Sequence, residues 1–329
     1  MSIPKDAPIK YATPMPPPSL QDIALVCPGG AAFFFVQAWE LITILEARPD
    51  LVSRIRLIAA NSAGSITGAL LAYGIFIGDP LGPLKKALSA VKVNTDVINP
   101  DPLPVLAHPI LHPITVNEML FGGLTGSRVV SQTKLWELLD KFIGDFDTEE
   151  LQRSHSLTLQ VCSFDSAAGV GRVYSGYVRH LPKKSSAIEG FFQDHNGDSD
   201  GGPFDNCPAD LAIIAGFEKI LIPYCAPDGP DPDLRPILVS KDEPDKAKLL
   251  ARNVVGALFG AMTALNENLT AKAVASWEKQ GGQLVEAYPL ETDVLGSLMD
   301  FTAEAQEKRK VIGIAAGQRA LAKIAAFGW

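Results

Sequence analysis

The sequence predicts an α/β protein built on a mostly parallel central sheet. Three observations carry the prediction. The first 75 residues read strand, loop, helix, strand, turn, helix, the order that a parallel sheet covered by helices produces. Both strands are almost unbroken apolar runs, as strands buried on two faces are. The chain has 329 residues, 47% of them apolar, which is enough to bury a sizeable core, and no internal repeat or composition break divides it into two folding units. The expected organisation is an extended proline-rich arm over residues 1–20 and one domain over residues 21–329.

The elements follow in order. Prolines between positions 13 and 18 fix extended backbone and remove donors. "DIALVC" (22–27) is a short apolar run bounded by "PGG", a buried strand ending in a glycine loop. "AFFFVQAWELITILEARPD" carries Phe34, Trp39, Ile42 and Leu45 at helical spacing and stops near Pro49. "IRLIAA" is the second strand and "AGSITGALLAYGIF" the second helix. Residues 79–128 are expected to be loop-rich, because Pro and Gly recur there. "SQTKLWELLDKFIG" (131–144) is an amphipathic helix, and "SLTLQVCSFDSAAGVGRVYSGYVR" a hairpin turning around Ala167–Gly171. "DHNGDSDGGPFDNCP" (194–208) is a polar turn cluster. "LAIIAGFEKILIPYC" ends a helix and opens a strand over Lys219–Cys225, and a further strand is expected in "GQLVEAYPL" (282–290) within a mostly helical last third.

Composition excludes several functions. The formal net charge of −8 argues against non-specific nucleic-acid binding and against electrostatic docking on anionic membranes; it leaves docking through an apolar patch open. The four cysteines, Cys27, Cys162, Cys207 and Cys225, form no C-x-x-C pair and no disulfide framework, so they are expected reduced, in a cytoplasmic protein. The N-terminus has no apolar signal segment, and the apolar stretches at Ile66–Ile77 and Val254–Leu265 are too short or too glycine-interrupted to span a bilayer.

Three segments carry candidate chemistry. In Ala60-Asn61-Ser62-Ala63-Gly64, a serine among small residues joins a buried strand to a helix. A nucleophile elbow has this form, since the two backbones nearly touch and the hydroxyl stands above the sheet; a plain packing turn shares the pattern. In "VCPGGAA" (26–32), glycines let backbone N–H groups approach an oxyanion, although a simple turn also fits. The spacing of a dinucleotide-binding loop is missing. In Asp200-Gly201-Gly202, a carboxylate sits at a turn and is suited to take a serine's proton; an ordinary D-G turn reads the same. A calcium loop over Asn196, Asp198 and Asp200 fails because Cys207 stands where the closing glutamate belongs. A Ser–acid–His triad fails too: the last of five histidines is His195, whereas that fold places its histidine late. His195 and Asn206 flank the Asp200 turn, and Asp205 lies beside them. A carboxylate acts as base at neutral pH when desolvation raises its pKa from about 3.9, so Asp200 is expected partly buried beside Ser62.

Taken together and in this order, the three segments resemble the patatin-like phospholipase family: a glycine-rich loop after the first strand, a serine elbow some thirty residues on, and a distant D-G-G. The resemblance extends over about Asp22 to Gly317, with softer matches at "SSAIEGFF" (185–192), "DNCP", "GFEKILIPY" and "IAAGQRAL" (314–321). It implies a three-layer α/β/α fold and hydrolysis of lipid acyl esters through an acyl-serine. Carried over, Ser62 is the nucleophile, Asp200 the general base, and the amides of Gly29, Gly30 and Ala31 the oxyanion hole. No cofactor or metal is implied, and the expected partner is a lipid or other acyl ester, with transient contact to a membrane surface. This chain departs from the family at Pro28, which replaces a loop glycine and has no N–H, and at Ala32 and Phe33, where the family has a basic residue and a glycine. Phe33–Phe35 add three rings, an acyl-chain wall or helix core. The alternatives are acyl transfer from the same acyl-serine and a catalytically weak binding or regulatory protein.

Overall fold

The computed structural model describes residues 10–11, 15–98, 132–165, 170–186, 198–202, 206–225, 270–290, 292–296 and 300–329. Its strands are β1 (Lys10–Tyr11), β2 (Ile23–Cys27), β3 (Ile55–Asn61), β4 (Thr158–Asp165), β5 (Val170–Ser175), β6 (Asp198–Asp200), β7 (Lys219–Pro223) and β8 (Gln283–Ala287). Among the described residues they form one sheet of eight strands in the order β1-β5-β4-β3-β2-β7-β8, with β6 paired to β4 off this path. The pairs β2–β3, β2–β7, β3–β4 and β7–β8 are parallel. The pairs β1–β5, β4–β5 and β4–β6 are antiparallel.

The described helices include α1 (Phe34–Ala47), α2 (Ser62–Phe76), α3 (Gly82–Ala90), α4 (Thr133–Phe142), α5 (Thr148–His155), α6 (Leu181–Ser185), α7 (Ala209–Ile214) and α8 (Ala303–Ala326), and residues 270–278 are helical as well. The sheet sits between two helical layers, and β2 shows why its sequence is apolar at every position. Ile23, Leu25 and Cys27 face the core made with α1, α2 and α3, while Ala24 and Val26 face a smaller core with Ala209, Ala212 and Trp277. Strand side chains alternate in direction, so a strand covered on both faces needs apolar residues throughout. The mostly parallel, three-layer architecture is therefore as expected.

Three local expectations are corrected. Residues within the loop-rich stretch form α3, with Pro83 in its first turn, where the missing N–H has no helical partner to lose. The polar cluster at 194–208 contains a strand: Asp198–Asp200 pairs with Ser163–Asp165 through main-chain groups, which side-chain patterning does not reveal. The hairpin turn is shorter than expected, since Val170 and Gly171 already belong to β5. Of the proline-rich arm, Lys10–Tyr11 forms the edge strand β1, and residues 1–9 and 12–14 lie outside the described residues. So do Val254–Leu265, His195, Asp205 and most of "SSAIEGFF".

Candidate active site

The site lies where β2 and β3 end and their helices begin. β3 runs straight into α2, and Ser62 is the first residue of that helix. Its φ is +47°, in the left-handed region that non-glycine residues rarely occupy. The first turn of α2 packs against the end of β2 because the residue two on is glycine. A Cβ on Gly64 would lie 2.1 Å from the Cys27 carbonyl oxygen and 2.4 Å from that of Pro28. The next turn packs on β3, with a Cβ on Gly68 reaching 2.9 Å from Ile58 Cγ2.

Asp200 ends β6, 138 residues away in sequence, yet the Ser62 hydroxyl donates to its Oδ2. The backbone N–H of Gly202 donates to Oδ1 at 2.8 Å, which holds the carboxylate in one rotamer. Both residues are 6% exposed. The partial burial expected for Asp200 is present, and it comes from the pairing of β6 with β4. Gly201 is needed for this approach, because a Cβ there would lie 2.2 Å from Asn61 Oδ1 and 2.6 Å from the Cys162 carbonyl oxygen.

The glycine loop passes directly over the serine. A Cβ on Gly29 would lie 2.8 Å from Ser62 Cβ and 2.5 Å from Asn206 Oδ1, so only glycine fits. The three expected oxyanion donors are not equivalent. The Gly29 N–H donates to the Asn206 carbonyl at 3.0 Å. Among the described residues the N–H groups of Gly30 and Ala31 have no acceptor. Ala31 lines the same pocket as Ser62 and, like it, has a left-handed φ, of +43°. Two of the three left-handed non-glycine residues described thus stand at this one site, where strain is commonly stored.

Several side chains to which the sequence assigned no role hold these parts. Ser185, fully buried at the end of α6, accepts from the Ser62 N–H at 2.7 Å and donates to the Cys162 carbonyl. Asn61 donates to Asn206 Oδ1, which ties the elbow to the segment after Asp200. Gln37 of α1 donates to the carbonyls of Pro28 and Pro223 at 3.0 and 3.1 Å, strapping the ends of β2 and β7. Arg309 of α8 is fully buried. It donates to the carbonyls of Ala32, Leu295 and Asp300 and stacks over Phe33 with 5.0 Å to the ring centroid. Burial holds its pKa down at about 10. The loop lacks its own basic residue, and this cation from the C-terminal helix packs beneath it. Asn61 and Ser185 lie in the elbow and in "SSAIEGFF", but no local pattern announces Gln37 or Arg309, because each acts only through tertiary packing.

The serine opens into a narrow pocket whose cavity volume is about 40 Å³. Phe34, Ile66, Val97, Ile98, Leu135 and Phe301 form apolar walls. Of the three aromatic residues in the loop, Phe34 is pocket wall, and Phe33 and Phe35 are core. Cys27 and Cys225 lie beneath the loop as free, buried thiols; burial raises both pKa values, so neither is a nucleophile at neutral pH. Arg172 pairs with Asp165 across the hairpin at 2.6 Å. No group of three His, Cys, Asp or Glu side chains among the described residues could hold a metal ion. No described helix is long and apolar enough to cross a membrane.

The sequence model of the patatin-like phospholipase family matches residues 25–213, more than half of the chain. The chain belongs to this family, a family of lipid acyl hydrolases. Among solved structures it is similar to VipD from Legionella pneumophila, with 15% identity and a TM-score of 0.40 over 92% of this chain and 67% of that one. It is also similar to the type III effector protein ExoU, with 11% identity and a TM-score of 0.33 over 92% of this chain and 54% of that one. The chain therefore spans about half the length of ExoU. No curated protein sequence matches it.

Proposed function

We propose that this chain is a serine acyl hydrolase that cleaves carboxylic esters of lipids. The observation that carries the reading is the hydrogen bond from the Ser62 hydroxyl to Asp200, at the mouth of an apolar pocket. Ser62 Oγ attacks the ester carbonyl carbon as its proton passes to Asp200 Oδ2. The carbonyl oxygen becomes an oxyanion, held by the N–H groups of Gly30 and Ala31. Collapse breaks the bond to the alcohol, which leaves with the proton from Asp200, and the acyl group stays on Ser62. Asp200 then takes a proton from water, the resulting hydroxide attacks the acyl-serine, and Ser62 regains its proton as the fatty acid departs. The apolar walls suit an acyl chain and leave polar recognition to the mouth.

One observation favours slow turnover and so bears on the catalytically weak alternative. Pro28 has no N–H, and the Gly29 N–H is engaged by Asn206. Each oxyanion donor lost typically costs about 10²–10³ in rate, so turnover is expected to be low unless that bond opens. The test is release of free fatty acid from phospholipid in mixed micelles. Ser62→Ala should reduce kcat to background, and Asp200→Asn should reduce it by about 10²–10⁴. Hydrolysis that survives both substitutions would overturn the reading.

A further inference from the structure

The two amides that meet the oxyanion belong to a strained stretch that cannot hold itself. Ala31 has a left-handed φ of +43°. Asparagine or aspartate supports this conformation with a local hydrogen bond; an alanine methyl cannot. Ser62, also left-handed, is held by its own groups, since its N–H donates to Ser185 and its hydroxyl to Asp200. Strain of this kind persists only where the surroundings over-determine it, so Ala31 depends on whatever grips the chain on either side.

Upstream, Gln37 donates to the Pro28 carbonyl at 3.0 Å, and the Gly29 N–H donates to the Asn206 carbonyl at 3.0 Å. Downstream, the Phe33 N–H closes a turn onto the Gly30 carbonyl at 2.8 Å. Among the described residues, the side chain that secures this turn is Arg309, which donates to the Ala32 carbonyl at 3.4 Å and lies over the Phe33 ring. The guanidinium is itself anchored by bonds to the Leu295 and Asp300 carbonyls. It is fully buried, and taking a cation out of water is unfavourable. An apolar side chain would fill the space without that penalty. The planar fork does what such a side chain cannot, bonding several carbonyls at once while stacking on an aromatic face.

We propose that Arg309 is a positioning residue for the oxyanion hole: it holds Ala31 in its left-handed turn, so that the N–H groups of Gly30 and Ala31 stay aimed at the oxyanion. Peptide planes leave only two soft torsions per residue, so fixing the carbonyls of Pro28 and Ala32 brackets both amides. The acyl wall does not depend on this grip. Phe301 follows Asp300 and lines the pocket, but its N–H donates to Asn94 Oδ1 at 2.6 Å and its carbonyl accepts from Gln306 Nε2 at 2.9 Å. Loss of the fork therefore loosens the loop and leaves the wall in place. This deepens the hydrolase reading and rests on it.

The test uses the full chain and release of fatty acid from phospholipid in mixed micelles. Arg309→Met removes the fork and keeps an unbranched stem. It should lower kcat by about 10² and leave KM within about threefold, because binding to the acyl wall is unchanged. Glycine takes a left-handed turn unaided. Adding Ala31→Gly should therefore raise kcat at least about tenfold in the Arg309→Met background, and by far less in the wild type. An Arg309 that only stabilised the fold would lower the melting temperature and leave kcat of the folded protein unchanged. That result overturns the proposal, as does a loss of kcat that Ala31→Gly does not recover. If Arg309→Met does not fold, Phe33→Leu takes its place. It removes the ring beside the guanidinium and should lower kcat at least about threefold at constant KM; an unchanged kcat overturns the proposal. In each of these cases an active wild type leaves the hydrolase reading standing. A wild type that neither releases fatty acid nor binds a fluorophosphonate covalently overturns that reading and the proposal with it.

Discussion

Ser62 holds a left-handed backbone that costs an L-residue about 1–2 kcal/mol. The strain is kept because this turn alone aims Oγ at Asp200 above the sheet. Glycine would release it while losing about 0.5–1 kcal/mol in backbone freedom. Ser62→Gly and Ser62→Ala both delete the hydroxyl and its bond to Asp200, so they differ mainly in backbone strain. Ser62→Gly should be the more stable of the two by about 0.5–1 kcal/mol, roughly 1–3 °C in melting temperature, and both should be inactive. A lower melting point for Ser62→Gly would mean that the turn is not strained. The sequence made Ser62 and Asp200 visible because small residues must surround them. Gln37 and Arg309 carried no such mark: a buried glutamine or arginine at a helix reads like any other until the chain folds.

The packing of α8 on α1 sets the chemistry behind the loop. A Cβ on Gly313 would lie 2.5 Å from the Val36 carbonyl oxygen, and one on Gly317 would lie 2.8 Å from that of Glu40. The helices therefore touch backbone to backbone, and Glu40 is sealed between them. Its carboxyl is fully buried, with no hydrogen-bond partner for either oxygen among the described residues. Burial pushes its pKa well above the ordinary 4.5, against a smaller pull from Arg319. Native Glu40 thus keeps a proton that the unfolded chain has released above about pH 4.5, so stability falls as pH rises from there towards the raised pKa. The slope approaches 1.4 kcal/mol per pH unit. Glu40→Gln keeps the neutral shape and removes the titration. Melting curves between pH 5 and 7 should show the wild type losing stability relative to Glu40→Gln; parallel curves would contradict a protonated Glu40. At this scale the sequence showed β2, β3, α1 and α2 through unbroken or periodic apolar runs. It hid α3 and β6, the first behind prolines that a helix start accepts and the second behind polar side chains that a main-chain ladder ignores.

Across the whole molecule, the site is an assembly of distant segments. The glycine loop follows β2, Ser62 follows β3, Ser185 ends α6 on β4, Asp200 ends β6, and Arg309 reaches in from α8. The parallel strands β2 and β3 end side by side, which brings the loop over the serine. The pairing of β6 with β4 delivers the aspartate. Order along the chain was enough to suggest the family, since the three glycine-bearing motifs survive as short patterns. Which amides remain free to meet an oxyanion was not legible, because it depends on the bond between Gly29 and Asn206.

The most direct test of this account is intact mass after incubation with a long-chain fluorophosphonate, which needs an activated serine and no particular substrate. The account predicts one adduct on the wild type, none on Ser62→Ala, and much slower labelling of Asp200→Asn. A folded wild-type protein that takes no adduct, or an adduct that persists in Ser62→Ala, would contradict it.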